Sequence, residues 1–216
     1  MALPQLKEDA RYTYADLLEW DEDVRAELHD GELVMMSPPV TRHQRVLTEL
    51  IFQIRTYLEG KSCLVFAAPF GVRLFPKKDK SDDTVFEPDI VVICDEEKLD
   101  ERGCNGPPDL VIEITSPSTA KYDRIYKLRK YQKAGVREYW IVDPETKSVQ
   151  VCTLENGRYV TSVYDETDKI PVFVLGPAAE AREGRGARGE PSPQNGSVAV
   201  PPPAGCEVDL AGVFAE

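Results

Sequence analysis

Residues 85–94 read VFEPDIVVIC and residues 109–115 read DLVIEIT. Both are nearly continuous apolar runs rich in β-branched residues, the pattern of strands covered on both faces of a sheet. An acid interrupts each run: Asp89, just after Pro88, and Glu113, between Ile112 and Ile114. An isolated carboxylate in an apolar setting is costly, so two such interruptions ask for a common explanation. If the strands are neighbours, Asp89 and Glu113 converge. A hard divalent cation then relieves the cost. Mg²⁺ takes carboxylate oxygens, keeps several waters for substrate, and polarises a phosphodiester.

The flanking sequence supplies the rest of a mixed architecture. Thr13 and Asp16 read as a capping box opening a short helix through Trp20. Asp30-Gly31 is a tight turn between two extended arms within 26–36. Residues 40–59 form the best amphipathic helix, with Val46, Leu47, Leu50, Ile51, Ile54 and Leu58 at spacings of three and four and Gly60 as its stop. A strand or hairpin half over 63–75 bends at Pro69 and Gly71. A second helix over about 119–134 is stopped by Gly135. A strand over 137–142 precedes a hairpin of 147–154 and 158–164, joined through Asn156-Gly157. The expected fold is α+β, one central mixed sheet with helices on its faces. The domain reading is a globular unit over 1–175, a flexible Pro-, Gly-, Ala- and Arg-rich segment over 176–205, and a short docking segment over 206–216.

The chain has 216 residues, 42% hydrophobic and 30% charged, which is ordinary globular composition. Its longest apolar stretch, 64–72, is far short of the ~20 residues of a membrane helix. The N-terminus lacks the basic start and apolar run of a signal peptide, which favours a cytoplasmic protein. Five scattered cysteines without a CxxC pair argue against a disulfide framework and a cysteine zinc site, and for reduced structural thiols. A net charge of −12 speaks against a general polyanion binder. The charge is uneven, however. Residues 121–137 carry seven bases against the single acid Asp123, interleaved with Tyr122, Tyr126 and Tyr131. Such a stretch is either a solvated helix face or a phosphate-facing helix with tyrosines available for stacking.

Pro88-Asp89 followed by Glu113-x-Thr115 resembles the PD-(D/E)XK nuclease superfamily. The wider text is closer to one branch, the Uma-type restriction endonuclease family. The carrying residues are Met36-Ser37-Pro38-Pro39 with His43, Glu87 to Val92, Pro108 to Ile114, Ser116 to Thr119, Asp123, Lys127, Tyr131, Gly135-Val136 and Glu138 to Pro144. Together they span roughly 12–175. The resemblance implies a restriction-endonuclease-like core and a metal-dependent endodeoxyribonuclease. Its cofactor would be Mg²⁺, with Mn²⁺ as a substitute, its substrate DNA, and its assembly a homodimer with no membrane association. The metal would be held by Asp89, Glu113 and the backbone carbonyl of Ile114.

Pro108-Asp109 competes for the first acid, but it lies four residues before Glu113 on the same strand and side. Asp89 is therefore assigned, and Asp109 leads into the strand. Position 115 should carry the lysine; threonine stands there instead. The resemblance implies that the lysine has migrated to the following helix as Lys127, four residues after Asp123, with Lys121 as the fallback. His43 by itself reads as a polar residue capping the helix start; the resemblance puts it at the catalytic rim. An N-terminal acid, Glu27 or Glu32, can join such a site. Trp140 and Tyr139 read as core packing. The competing readings are a catalytically idle nuclease-fold module that binds nucleic acid or a protein partner, suggested by Thr115 and the −12 charge, and an acidic oligomerisation domain.

Overall fold

The computed structural model describes residues 10–20, 24–116, 121–176 and 205–215. The fold is α+β, with mixed sheets flanked by helices. Two buried strands form its centre. β6 (Ile90–Ile93) and β9 (Leu110–Ile114) pair antiparallel in the register Ile90↔Ile112 and Val91↔Val111. On the other side of β9 runs β10 (Glu138–Asp143), in parallel. The sheet is completed by β11 (Ser148–Glu155) and β12 (Arg158–Asp165) beyond β10, and by β3 (Leu64–Ala67) beyond β6. Asn156 and Gly157 both adopt positive φ at the β11–β12 turn, as the Asn-Gly pair predicts.

Every residue of β6 and β9 is buried, as their near-continuous apolar sequence leads one to expect. Against one face packs α2 (Thr41–Leu58), through Val46, Leu50, Ile54 and Leu58, spaced four apart. These meet Ile90, Val92, Leu110, Ile112, Trp140 and Val142. The opposite face presents Val91, Ile93, Val111, Tyr139 and Ile141 to Phe86 and Tyr131.

The run 85–94 is not one strand. It divides into β5 (Val85–Phe86) and β6, which belong to different sheets. Pro88 has no N–H to give to a ladder, so the strand breaks there. The Glu87 N–H leaves the sheet pattern and donates to the Glu27 carboxylate at 2.9 Å. Hence the strands form two six-stranded sheets and a small two-stranded one rather than a single central sheet. The second large sheet is ordered β2 (Glu32–Met35), β1 (Ala26–His29), β5, β4 (Gly71–Arg73), β8 (Gly103–Asn105), β7 (Leu99–Asp100). Its β1–β2 turn is Asp30-Gly31, both at positive φ.

The capping box at Thr13 and Asp16 is present, on α1 (Tyr14–Leu17). Most of the 176–205 segment falls outside the described residues. Beyond it, β14 (Glu207–Asp209) pairs with β13 (Lys169–Pro171), and α4 (Leu210–Val213) packs on α2. Gln53 of α2 holds this segment by bonding both the N–H and the carbonyl of Asp209. No helix among the described residues is long and apolar enough to cross a membrane.

The cysteine reading needs a correction: Cys63 and Cys94 form a disulfide. The cause is register. Leu64 pairs with Ile93, so the next residues outward, Cys63 and Cys94, face each other across β3 and β6. Cys104, Cys152 and Cys206 are buried free thiols, and burial pushes Cys104 up to about 11 and Cys206 up to about 12.

Glu138 is fully buried, accepting bonds from the Trp140 indole at 2.7 Å and the Val174 N–H at 2.9 Å. Burial pushes its carboxyl up from the ordinary 4.5 to about 7. The folded chain keeps this proton where the unfolded chain has released it. Stability is therefore full below the lower value and falls as pH rises through the upper one, by about 3 kcal/mol. Denaturant unfolding of wild type and Glu138→Gln from about pH 4 to about pH 8 checks this. The wild type is expected to lose stability relative to the variant as pH rises; a pH-independent difference would contradict it.

Candidate active site

Continuing the β6–β9 register by one residue sets Asp89 opposite Glu113. Directly opposed residues project to the same face, with Cβ atoms ~4.5–5.5 Å apart. Asp89 Oδ2 accepts the Ile114 N–H at 2.7 Å, which ties the carboxylate to the end of β9. His43 Nε2 lies 3.2 Å from the Asp89 carboxylate. His43 stands on the first turn of α2 but does not cap it, because Val40 occupies the N-cap. Its Nδ1 is buried with no hydrogen-bond partner.

Glu113 is 5% exposed. Its Oε1 accepts from Lys127 Nζ at 2.9 Å and from the Tyr131 hydroxyl at 2.7 Å. Lys127 Nζ also donates to Glu27 Oε1 at 2.9 Å and lies 3.9 Å from Asp123 Oδ1. Glu27 Oε2 in turn contacts His29 Nε2 at 2.7 Å. One buried ammonium therefore bridges two carboxylates from different sheets.

The helix carrying Lys127 departs from the α-helical reading. Residues Tyr122–Lys127 form a π-helical turn, followed by α3 (Leu128–Ala134) and a left-handed Gly135. Residues 117–120, including the expected helix start at 119, lie outside the described residues. The Asp123 carbonyl accepts the Leu128 N–H, five residues on, and also the Tyr139 hydroxyl at 3.1 Å. The widened turn keeps both Asp123 and Lys127 facing inward, each buried.

Electrostatics separates the two carboxylates. Burial pushes both up. At Glu27 the Lys127 ammonium and the His29 bond prevail, holding it at about 2. At Glu113 burial prevails over Lys127, and Asp123, Asp89 and Glu27 add to it, so its carboxyl stays well above the usual range. For Lys127, burial favours the neutral amine, but Glu113, Glu27 and Asp123 outweigh it and hold the lysine well above its ordinary value.

The remaining sequence candidates fall elsewhere. Thr115 is buried, its hydroxyl donating to the Val142 carbonyl at 3.2 Å. Asp109 accepts the Cys94 N–H at 2.8 Å and pairs with Arg137 at 3.0 Å, at the far end of β9 from Ile114. Glu32 is exposed and pairs with Arg11, so Glu27 is the N-terminal acid at the cluster. Lys121 is exposed. Within the basic stretch, Arg124 pairs with Asp143, Lys130 with Asp30 and Arg137 with Asp109, while Lys121, Arg129 and Lys133 face outward. Trp140 and Tyr139 are fully buried.

His29 had no expected role, and Tyr131, expected among the tyrosines available for stacking, is instead fully buried with its hydroxyl on Glu113. Two signals point to them: Glu27 and His29 share a face by the period of two, and Tyr131 follows Lys127 by four.

The donor set suits a hard cation. Asp89 and Glu113 supply carboxylates on one face, and Glu113 Oε2 has no hydrogen-bond donor among the described residues. Among those residues no three His, Cys, Asp or Glu side chains gather as a complete cage. Mg²⁺ asks for less, being bound by one or two carboxylates plus waters and substrate oxygens.

Comparison with known proteins bears on the fold and the family. A solved structure from Anabaena variabilis, described as "a putative nuclease belonging to DUF820", superposes with a TM-score of 0.65 over 94% of this chain and 98% of its own, at 19% identity. That likeness concerns the fold. A Synechocystis sp. protein named "Uncharacterized protein slr1290" is 23% identical over 165 residues, covering 74% of this chain and 84% of its own. The model of the Uma2 family, described as "Putative restriction endonuclease", matches residues 14–179. With most of its length matched, and with Pro88-Asp89, Glu113 and Lys127 inside the match, the chain belongs to the Uma2 family.

Proposed function

We propose that this protein is a metal-dependent endonuclease that hydrolyses DNA phosphodiester bonds. The observation that carries the reading is the Asp89 carboxylate accepting the Ile114 N–H at 2.7 Å, next to Glu113, with the Lys127 ammonium 2.9 Å from Glu113. Family membership supports the nuclease class. Asp89, Glu113 and the Ile114 carbonyl would hold Mg²⁺, or Mn²⁺ in its place. A bound ion supplies Lewis-acid polarisation of the phosphodiester and neutralises developing charge.

The chain's own residues do the rest. The Ile114 N–H and His43 fix the Asp89 carboxylate. Lys127 and Tyr131 fix Glu113 through Oε1, leaving Oε2 without a donor among the described residues. Lys127 keeps its charge at working pH and faces negative charge as it builds on the phosphate. Glu27, held ionised, keeps Lys127 in place. Cutting both strands of a duplex calls for two copies, and a homodimer is part of the proposal.

Incubation of supercoiled plasmid with wild type and Glu113→Gln, with Mg²⁺ or Mn²⁺, tests the reading. Wild type is expected to nick or linearise the plasmid and the variant to lose most of that activity. Equal cleavage by both would sink the site. No cleavage by wild type would favour an idle binding module.

A further inference from the structure

Beside the first turn of α2 lies a cleft of about 650 Å³. Among the described residues its charged lining is Arg42, Arg45 and Lys147 against the carboxylate of Glu145, with Pro144 and Phe214 also in the wall. This is a local surplus of positive charge on a chain of net charge −12. The cleft also has a definite place. His43, which touches Asp89, sits between Arg42 and Arg45 in the same helical turn. Pro144, Glu145 and Lys147 follow directly on β10, the strand next to β9. Asp89 precedes β6, Glu113 lies near the end of β9 and Pro144 follows the parallel strand β10, so the pair and the cleft lie at the same end of the sheet.

We propose that this cleft is a subsite for the DNA backbone beside the cut, with Arg42, Arg45 and Lys147 receiving phosphates that flank the scissile one. The proposal rests on the nuclease reading of Asp89 and Glu113 and adds to it where the substrate lies.

Among the described residues, the cleft's cations have polar partners that are themselves exposed. Arg42 pairs with Glu145 at 2.6 Å, but the two side chains are 58% and 65% exposed. Lys147 pairs with Glu166 at 2.8 Å, with 38% and 49% exposed. Arg45 donates to the Ala215 carbonyl at 3.0 Å on an exposed face. Exposed pairs of this kind contribute only about 0–1 kcal/mol, so a phosphate can replace the partner readily. Arginine suits the task because its planar fork matches phosphate oxygens. The basic face of the π-helical turn and α3 is a poorer candidate, since Arg124 and Lys130 are already paired with Asp143 and Asp30 and Lys127 is buried at the candidate site.

The test is fluorescence anisotropy of a short labelled DNA duplex in metal-free buffer across a salt series. Wild type is compared with Arg45→Ala/Lys147→Ala and with Arg55→Ala/Lys61→Ala, which removes equal charge at the other end of α2. Unchanged melting temperatures confirm that the variants fold. The cleft variant is expected to bind about tenfold more weakly and to lower the salt slope by about two, while the distal variant stays within about twofold of wild type. Equal losses in both variants, or none in either, overturn the subsite. If the cleft variant binds normally while Glu113→Gln still loses cleavage, the subsite falls and the nuclease stands. A wild type that neither binds nor cuts DNA removes both.

Discussion

Lys127→Met is expected to lower stability by about 3–5 kcal/mol and to abolish cleavage. Lys127 is 6% exposed and is the shared cation of Glu27 and Glu113. Methionine fills similar space but leaves Glu27, now held at about 2, without the charge that keeps it there. Removing one partner of a buried ion pair is expensive because the other charge is stranded. The double variant Lys127→Met/Glu27→Gln no longer strands Glu27, so it should regain part of the stability and none of the activity. Denaturant midpoints of the three proteins check the first part and plasmid cleavage the second. A single variant as stable as wild type would show that the ammonium does not bridge these carboxylates.

Asp89→Asn should reduce cleavage by more than about 10²-fold, since a lost metal ligand exceeds the 10–100-fold typical of outer-shell partners. Its stability should change little. The side chain is 16% exposed, and asparagine keeps an oxygen for the Ile114 N–H. Asp109→Asn is the control. This second Pro-Asp acid is bound to Cys94 and Arg137 rather than to the site, so its loss should weaken folding more than cleavage. Measured turnover that fell equally in both variants would undo the choice between the two Pro-Asp pairs.

Elements fixed by local chemistry were legible in the sequence. The four-residue spacing of Val46, Leu50, Ile54 and Leu58 read as a buried helix face, and Asn156-Gly157 as a hairpin turn. The nearly continuous apolar runs read as strands covered on both faces, which holds for 90–93 and 110–114, and the acids interrupting the runs marked the candidate site.

What escaped depends on long-range register. Nothing local tells that the chain changes sheets at Pro88, because a proline break and a strand edge look alike in sequence. Cys63 meets Cys94 only because β3 and β6 pair in one particular register. Glu27 and Glu32 flank the same turn, but β1 lies inside its sheet and β2 at the edge. Their roles therefore follow from strand order. The π-helical turn was invisible because Asp123 and Lys127 lie on one face in either helix type.

The central claim is that Asp89 and Glu113 share one divalent cation. Isothermal titration with Mn²⁺ tests it without depending on substrate. Wild type is predicted to bind one ion per chain, and Asp89→Asn and Glu113→Gln each to bind at least about tenfold more weakly while remaining folded. Identical isotherms for all three proteins, or no binding by wild type at millimolar Mn²⁺, would contradict it.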